Sequence, residues 1–510
     1  MQTTSRKQVV MNMASAGVAR VLNVLLVIWV NQYLLRRVTP EEYSLLPILS
    51  SVMLLLPLCV MSFTSGIGRF VNEAHAQGDD ERITRIVSSV FVVLCMAVAG
   101  LVLVGLALIW RLDDVLTIQP ARVGEARWML ALMMFPFLLK TLTTPFRVGL
   151  YVTQRFVLTN AIELAGQLVR IGFLVGLLVH SPRVLWVAVA HCIGEVLATI
   201  ALTVLGRVSL PQLRFSWGAR RERRVGHMFR FGGWATLSHT ATTIYQAMDP
   251  IILNRLAAAV DVASFHLGGL VLRQVTPLLL DVTTPIQPVM TSLHARGKVA
   301  EVENLYMRTG KHTLWMLGAV ACPAIALRVP LFQLYLGERF EVYGAAPDVL
   351  VLMLAACVPY FSLIGLPRLA FAAARMRAYV VCNMVGQATN LGLTICLISI
   401  FKLGAYGSAL SSLVTSWLLF AFALLPLSTH VFGMSLGRYM KECLTLGLVP
   451  WAVQFLVLAG MVQYVDSWIT MFCVCCLGSA AYAACVFALL CRSERQDILR
   501  VLARVCGKAG

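Results

Sequence analysis

The chain has 510 residues, of which 59% are hydrophobic and only 13% are charged, and its formal net charge at pH 7 is +18. A soluble protein of this length would carry roughly 25% charged residues and would divide into about three domains, so this composition excludes that class. Apolar runs long enough to cross a bilayer follow one another along nearly the whole chain, which predicts an all-α polytopic membrane protein.

Hydropathy and helix-breaking residues divide the chain into about fourteen predicted transmembrane helices. The first apolar run is too long for a cleavable signal peptide and contains Arg20, so we expect it to stay in the membrane. An even number of crossings puts both termini on the same side. The predicted spans cover residues 9–34, 44–65, 83–110, 126–150, 157–180, 183–206, 229–256, 264–292, 309–335, 346–371, 378–401, 406–430, 444–465 and 468–491.

Lysine and arginine residues concentrate on one side of the predicted membrane. With the N-terminus in the cytoplasm, most of the 42 basic residues fall in inside segments, as the positive-inside rule requires. The net charge is therefore a topology signal that places both termini in the cytoplasm, and no nucleic-acid partner is expected. The longest inside connection carries the arginines of residues 220–224, which we expect to lie against anionic headgroups.

The 14 cysteines give no sign of a metal site. Nearly all of them lie inside apolar runs, where cysteine behaves as a small hydrophobic residue. The densest group, Cys473, Cys475 and Cys476, lacks a second pair or a histidine at metal-ligand spacing. No metal and no cofactor is predicted.

Short matching segments in the two halves of the chain indicate a duplication of six helices. Their shift spans an even number of crossings, so the repeats are predicted to be parallel and related by an axis along the membrane normal. The matches pair His75 and Gly78 with His294 and Gly297 at a shift of 219 residues, Pro145 and Arg155 with Pro367 and Arg377 at 222, and Asn160 with Asn383 at 223.

The repeat divides the chain into five predicted regions. Two six-helix bundles flank a basic cytoplasmic linker, and two additional transmembrane helices and a cytoplasmic amphipathic tail follow the second bundle. In chain order these regions are residues 1–206, 207–228, 229–430, 431–491 and 492–510.

Charged residues inside the apolar spans are the candidate functional residues, because such residues pair with one another or line a water-filled path. Arg20 lies about halfway along the first span, where an arginine costs roughly 2.5–3.5 kcal/mol on insertion scales. It either snorkels to the surface or faces a cavity. For Arg20, Asp249 and Arg273 we favour the cavity, since parallel-repeat transporters build their midplane site from the first helices of each half.

The remaining intramembrane charges allow two interpretations. Lys140, Glu163, Arg170 and Glu195 either form a buried ion-pair network within the first bundle or contribute to a binding site. Asp281 lies on the predicted eighth span. The segment from Ser238 to Gln246 is too polar to be wrapped in lipid, and prolines 250, 277, 285 and 288 are expected to break the helices around it.

Several motifs resemble the Wzx-type polysaccharide repeat-unit flippases of the multidrug/oligosaccharidyl-lipid/polysaccharide exporter superfamily. They lie in the run NQYLLRRVTPEEYSLL and its continuation SGIGRFVNEAHAQGDDE. The matching elements are the turn Pro40–Tyr43, the close of span two at Gly66–Arg69, the Gly78–Asp79 cap before span three, and Asp249 followed by an apolar run and Arg255. The resemblance extends over essentially the whole chain.

The resemblance implies two six-helix bundles in a V around a central cavity that opens alternately to either side of the bacterial cytoplasmic (inner) membrane. The implied substrate is an oligosaccharide on a polyprenyl diphosphate, for a surface glycan such as O-antigen lipopolysaccharide or exopolysaccharide. Cavity cations suit a diphosphate. Arg20 and Arg273 are predicted to hold it, with Lys140 and Gln246 contributing to the cavity.

Further expectations follow from this assignment. Asp249 and Asp281 are the candidates for coupling transport to a proton or Na⁺ gradient. The last two helices are expected to form a groove for the polyprenyl tail. The implied partners are the lipid-linked oligosaccharide, membrane lipids, and the polysaccharide polymerase and glycosyltransferases of the same pathway.

Two alternative functions stay open. A cation-coupled drug or metabolite exporter of the same fold would prefer an acidic cavity, whereas Arg20 and Arg273 favour an anion. A membrane glycan polymerase, ligase or glycosyltransferase would need a large outer loop with catalytic residues, and the predicted outer loops are short. Since no nucleophile elbow or phosphate-binding glycine loop occurs, we do not expect an enzyme.

Overall fold

The computed structural model describes residues 22–490 except residues 26, 65–66, 154, 220–239, 241–242, 245 and 374. All regular secondary structure in these residues is helical, which confirms the all-α prediction. Arg20, the linker arginines of residues 220–224 and the tail at 492–510 lie outside the described residues.

Among the described residues, ten helices are long and apolar enough to cross a membrane, and one bent pair raises that number to 11. The ten coincide with the second to sixth and the tenth to fourteenth predicted spans. The bent pair, Val299–Ala326 with Arg328–Arg339 at 73°, coincides with the ninth. The chain is therefore a multi-pass membrane protein, while the total of fourteen and the V-shaped arrangement stay predictions.

The first, seventh and eighth predicted spans differ from this simple pattern. The described part of the first is the apolar helix Leu22–Leu35, and the seventh is described as a helix over residues 246–256. The eighth, predicted as one helix over 264–292, is interrupted at Gly269 and again just before Ile286. Glycine has a low helix propensity and proline lacks an N–H, so Gly269 and Pro285 account for the two interruptions.

The chain forms two compact units, residues 1–263 and 264–510. In the first unit, long helices alternate with short connections. These helices are α1 Pro40–Thr64, α2 Ile67–Ala76, α3 Asp80–Trp110, α4 Val123–Val152, α5 Phe156–His180 and α6 Leu185–Ser209. Residues 246–256 are also helical, and the unit boundary falls within the helix after them, α7 Ala259–Gly268.

The second unit contains most of the interrupted eighth predicted span, residues 264–292, which we call the broken span. It also contains the bent pair and the C-terminal helices. They are α8 Leu270–Thr283, α9 Ile286–Ala295, α10 Val299–Ala326, α11 Arg328–Leu336, α12 Ala346–Ser362, α13 Leu366–Ala372, α14 Met376–Ser399, α15 Gly404–Leu419, α16 Leu446–Met461 and α17 Trp468–Leu489. The domain limits predicted from the sequence remain predictions.

The turn before α3 and the turn before α10 have the same backbone. Gly78 and Gly297 have φ angles of 71° and 69°, a left-handed conformation that favours glycine. The Gly78 N–H donates to the His75 carbonyl at 3.1 Å, and the Gly297 N–H donates to the His294 carbonyl at 3.0 Å. The predicted match of these two segments is therefore reproduced in the backbone of both units.

The second predicted match needs a different alignment. The Arg155 N–H donates to the Leu150 carbonyl at 2.9 Å, and the Arg375 N–H donates to the Ala370 carbonyl at 2.9 Å. Each bond closes the turn that leads into the next long helix. The structural counterpart of Arg155 is therefore Arg375, at a shift of 220 residues, and the sequence match to Arg377 was wrong.

Candidate functional site

Three membrane-length helices of the first unit, α4, α5 and α6, each present two titratable side chains on one face. The paired residues are seven or four positions apart, so they lie two turns or one turn apart on the same side of a helix. The pairs are Lys140 and Arg147 on α4, Glu163 and Arg170 on α5, and His191 and Glu195 on α6. We call these six residues the charge cluster.

Glycines bring the three helices close enough for their charged faces to meet. A Cβ atom on Gly149 of α4 would lie 2.2 Å from the Gly206 carbonyl oxygen of α6, so the two backbones touch at this crossing. A Cβ atom on Gly194 of α6 would lie 2.7 Å from the Gly166 carbonyl oxygen of α5. These contacts hold α6 against α4 at one crossing and against α5 at the other.

Glu195 connects the charges of all three helices. Its carboxylate lies 3.6 Å from the Lys140 ammonium, and the two side chains are 28% and 49% exposed, respectively. The same carboxylate interacts electrostatically with Arg147, Arg170 and His191. The internal pairing that the sequence allowed is therefore present for Lys140 and Glu195.

The cluster contains more cations than carboxylates. Arg147 also interacts electrostatically with Glu163, so three cationic side chains share two carboxylates. The Nε atom of Arg147 is buried and makes no hydrogen bond with the residues that the structure describes, and the same holds for Oε1 of Gln167 on α5. Buried polar groups normally have a partner. An anion that accepted hydrogen bonds from Arg147 would supply one.

The chemistry of the cluster suits binding of an anion. Guanidinium groups remain charged in proteins and bind carboxylates or phosphates with two parallel hydrogen bonds. Charges within membrane-length helices rarely face lipid, and the exposed side chains of Lys140 and Glu163 are therefore expected to meet water. No step of bond making or breaking is needed for this role.

Arg273, predicted to hold the diphosphate, lies on α8 next to the first interruption of the broken span. Its Nη2 atom donates to the His266 carbonyl of α7. A Cβ atom on Gly269 would approach Arg273 Nη1 to 2.6 Å, so the guanidinium lies across the interruption. The exposed Arg273 side chain thus caps the end of α7, and its role in substrate binding stays a prediction.

Of the other predicted site residues, Asp249 and Gln246 belong to the first unit and Asp281 to the second. Asp249 is buried, with 6% of its surface exposed, and it takes part in at least one interaction. Gln246 is exposed one turn before it. Asp281 is exposed near the end of α8 in the second unit. Arg20 lies outside the described residues.

Three arginines that were not among the predicted site residues have defined roles. Arg147 was overlooked because it lies near the predicted membrane surface, although its spacing of seven from Lys140 was a usable signal. Arg255 donates from Nε to the Val115 carbonyl at 2.6 Å and connects residues 246–256 to the short helix Leu112–Val115 that follows α3. The third is Arg368.

Arg368 stabilises the second interruption of the broken span. It is 9% exposed and donates from Nε to the Thr283 carbonyl at 3.1 Å and from Nη2 to the Thr283 hydroxyl at 2.6 Å. A third bond runs from Nη1 to the Ile364 carbonyl at 2.6 Å. The buried arginine therefore supplies donors to the carbonyl and the hydroxyl of Thr283, the last residue before the interruption.

The last two helices, α16 and α17, are hydrogen-bonded to α10. Trp315 Nε1 donates to the Leu446 carbonyl at 2.9 Å, and Trp451 Nε1 donates to the Leu314 carbonyl at 3.0 Å. The Tyr482 hydroxyl donates to the Trp315 carbonyl at 2.6 Å. Across the residues that the structure describes, no group of three or more His, Cys, Asp or Glu side chains could hold a metal ion.

Comparison with known proteins identifies the family. The sequence model of the family described as polysaccharide biosynthesis protein matches residues 9–294, which is more than half of the chain. No curated protein matches the sequence.

Solved structures share the fold at low sequence identity. The lipid II flippase MurJ in an inward closed conformation is 12% identical, with a TM-score of 0.68 over 93% of this chain and 98% of that chain. An inward-facing multidrug resistance MATE family transporter of the MOP superfamily is 13% identical, with a TM-score of 0.61 over 81% of this chain and 95% of that chain.

A third similar structure is a MOP superfamily transporter from Pyrococcus furiosus, described as having a binding pocket of reverse polarity. It is 12% identical, with a TM-score of 0.54 over 82% of this chain and 93% of that chain. These structural neighbours are described as a flippase and transporters. The chain belongs to the polysaccharide biosynthesis protein family and shares the fold of these solved structures.

Proposed function

We propose that the protein flips a polyprenyl-diphosphate-linked oligosaccharide from the cytoplasmic to the outer leaflet of the bacterial cytoplasmic membrane. This step would serve surface polysaccharide biosynthesis, with both termini of the chain in the cytoplasm. The observation that carries the proposal is the charge cluster, in which three cations share two carboxylates within membrane-length helices. Membership of the polysaccharide biosynthesis family and the fold shared with a lipid II flippase support it.

The charge cluster suits the charged part of this substrate. A diphosphate offers several acceptor oxygens, and Arg147 has a buried Nε donor that bonds to none of the described residues. Lys140 is partly exposed beside Glu195, so a diphosphate can compete with that carboxylate for its ammonium group. We further propose that Arg20 and Arg273 contribute to the same anion preference.

Transport is proposed to proceed by alternating access of the two halves, driven by exchange for a proton or Na⁺. Asp249 and Asp281 are the candidate coupling residues, since intramembrane carboxylates in transporters commonly mark ion or proton pathways. If Asp249→Asn transported substrate and still responded normally to ion gradients, Asp249 would have no part in coupling.

Complementation of a strain that lacks this gene tests the proposal. The wild-type gene should restore the surface glycan, and Arg147→Gln should restore little of it at equal protein level in the membrane. Arg155→Gln is the matched control, because Arg155 is an exposed arginine outside the charge cluster. Full restoration by Arg147→Gln, or by both Arg20→Ala and Arg273→Ala, would contradict diphosphate binding by those residues.

The same strains separate the proposed flippase from a drug exporter. Ethidium efflux that depends on this gene, together with an unchanged surface glycan in the deletion strain, would favour the exporter. A glycan defect without any change in ethidium accumulation supports the flippase.

A further inference from the structure

A basic cavity lies at the turn between α9 and α10, at the end of the spans that the charge distribution predicts to be cytoplasmic. Its volume is about 340 Å³, which falls within the usual range of small-molecule sites. Three of its lining side chains are basic, and none of its described lining residues carries a carboxylate. The basic side chains are those of His294, Lys298 and Arg375.

The basic residues come from two parts of the second unit. His294 and Lys298 flank the left-handed Gly297 in the turn before α10. Arg375 follows α13, and its Nη1 atom donates to the Val431 carbonyl at 3.2 Å. That bond fixes the guanidinium at the cavity wall. Apolar residues such as Val302 and Phe432 form the remainder of the lining.

The N-terminus of α10 adds to the positive potential of the cavity. Lys298 occupies the N-cap position of this 28-residue helix, and no side chain caps it. The first N–H groups of a helix carry a partial positive charge that favours an anion. A lysine at the N-cap offers these groups no acceptor.

The equivalent turn in the first unit shows what an internal anion does at this position. Asp79 occupies the N-cap of α3, and its Oδ1 atom accepts a hydrogen bond from the Arg82 N–H at 2.8 Å. Since the two turns share their backbone, the second unit has the same geometry with Lys298 in place of the carboxylate. Lys298 pairs with the carboxylate of Glu301, whose Oε1 lies 2.7 Å from Nζ, and both side chains are about half exposed. Such exposed pairs are weak, and a bound anion can compete with them.

We propose that this cavity binds a phosphate group carried by a membrane lipid. The three basic side chains and the uncapped helix N-terminus converge on one small volume at the depth expected for lipid headgroups, and phosphate oxygens accept from all of them. Two lipids carry this chemistry: an anionic phospholipid and a prenyl diphosphate. The site is distinct from the charge cluster of the first unit, so its failure would leave the proposed transport function untouched.

Binding to the full-length protein in detergent tests this site. The probes are phosphatidic acid, farnesyl diphosphate and inorganic phosphate, each measured by titration with native mass spectrometry or calorimetry. Lys298→Asp and Arg375→Gln should each weaken binding of the preferred lipid about tenfold, the usual effect of losing a charge-assisted hydrogen bond. Lys298→Asp should fold normally, because it reproduces the Asp79 cap of the first unit.

Arg296→Gln is the matched control. Arg296 is exposed in the same turn but does not line the cavity, so binding by this variant should stay within about twofold of wild type. Binding of phosphatidic acid alone identifies a phospholipid site, and binding of farnesyl diphosphate alone identifies a prenyl diphosphate site. Either result supports the proposal. The proposal is overturned if no lipid probe binds, if both cavity variants bind like wild type, or if Arg296→Gln weakens binding as much as they do.

Discussion

The turns before α3 and α10 share a backbone and differ in charge. Both place a glycine in the left-handed region, with φ angles of 71° at Gly78 and 69° at Gly297. Asp79 caps the first helix with its own carboxylate, whereas Lys298 leaves the second without a side-chain cap beside a basic cavity. The backbone of this repeat therefore does not depend on the capping residue, and the charge at the cap decides what the helix end can bind.

The shared backbone predicts equal and large effects of a β-branched residue at the two glycines. We expect Gly78→Val and Gly297→Val each to lower the free energy of unfolding by about 2 kcal/mol, because L residues are strained at positive φ. A Cβ atom meets nothing within 4 Å at either position, so strain alone acts. Denaturant unfolding of the purified protein measures both changes.

Asparagine supplies the control for this comparison. Because asparagine tolerates the left-handed region, Gly78→Asn and Gly297→Asn should each lower the free energy of unfolding clearly less than the corresponding valine substitution does. If valine lowered the free energy of unfolding strongly in one turn and not in the other, the two backbones would not be equivalent.

The difference in capping predicts that alanine substitution of the two N-cap residues has unequal effects on stability. Asp79→Ala should lower the free energy of unfolding by about 1 kcal/mol, since it removes the acceptor for the Arg82 N–H. Lys298→Ala should leave the stability of α10 nearly unchanged, because Lys298 makes no capping bond. Hydrogen exchange of the first turns of α3 and α10 measures each effect locally. Similar increases in exchange after both substitutions would argue against this difference.

The smallest expected effect concerns Glu301, the carboxylate nearest to Lys298. Glu301→Gln should change the free energy of unfolding by less than about 0.5 kcal/mol, as expected for an exposed pair three residues apart. Affinity for the preferred phosphate lipid should rise about twofold, since Lys298 no longer has a competing partner. A decrease in affinity would mean that Glu301 belongs to the binding site instead of competing with it.

Much of the fold could be predicted because hydropathy records directly which segments can cross a bilayer. The left-handed turn at Gly78 and the cap at Asp79 were also readable, since both depend on neighbouring residues only. The interruption at Gly269 was not predicted, because glycine only weakens a helix, and whether the helix breaks there depends on tertiary contacts such as the bond from Arg273 to the His266 carbonyl.

The candidate sites could be predicted only in part. Lys140 and Glu195 were recognisable as intramembrane charges, but their pairing depends on the glycine crossings that bring α4 and α6 together. The basic cavity joins Lys298 to Arg375, which is 77 positions further along the chain. Periodicity and composition carry no information about such a contact, since it arises from the tertiary packing of α9 against α13 and from the bond between Arg375 and the Val431 carbonyl.

Flipping in proteoliposomes tests the central claim most directly. The full-length protein is reconstituted with a fluorescent polyprenyl-diphosphate-linked oligosaccharide, and the fraction accessible to a membrane-impermeant quencher is followed with time. Wild type should expose the inner-leaflet substrate faster than empty liposomes do. Arg147→Gln should slow this exposure about tenfold or more, while Arg155→Gln stays within about twofold of wild type. Wild-type traces that match empty liposomes would contradict the proposed function.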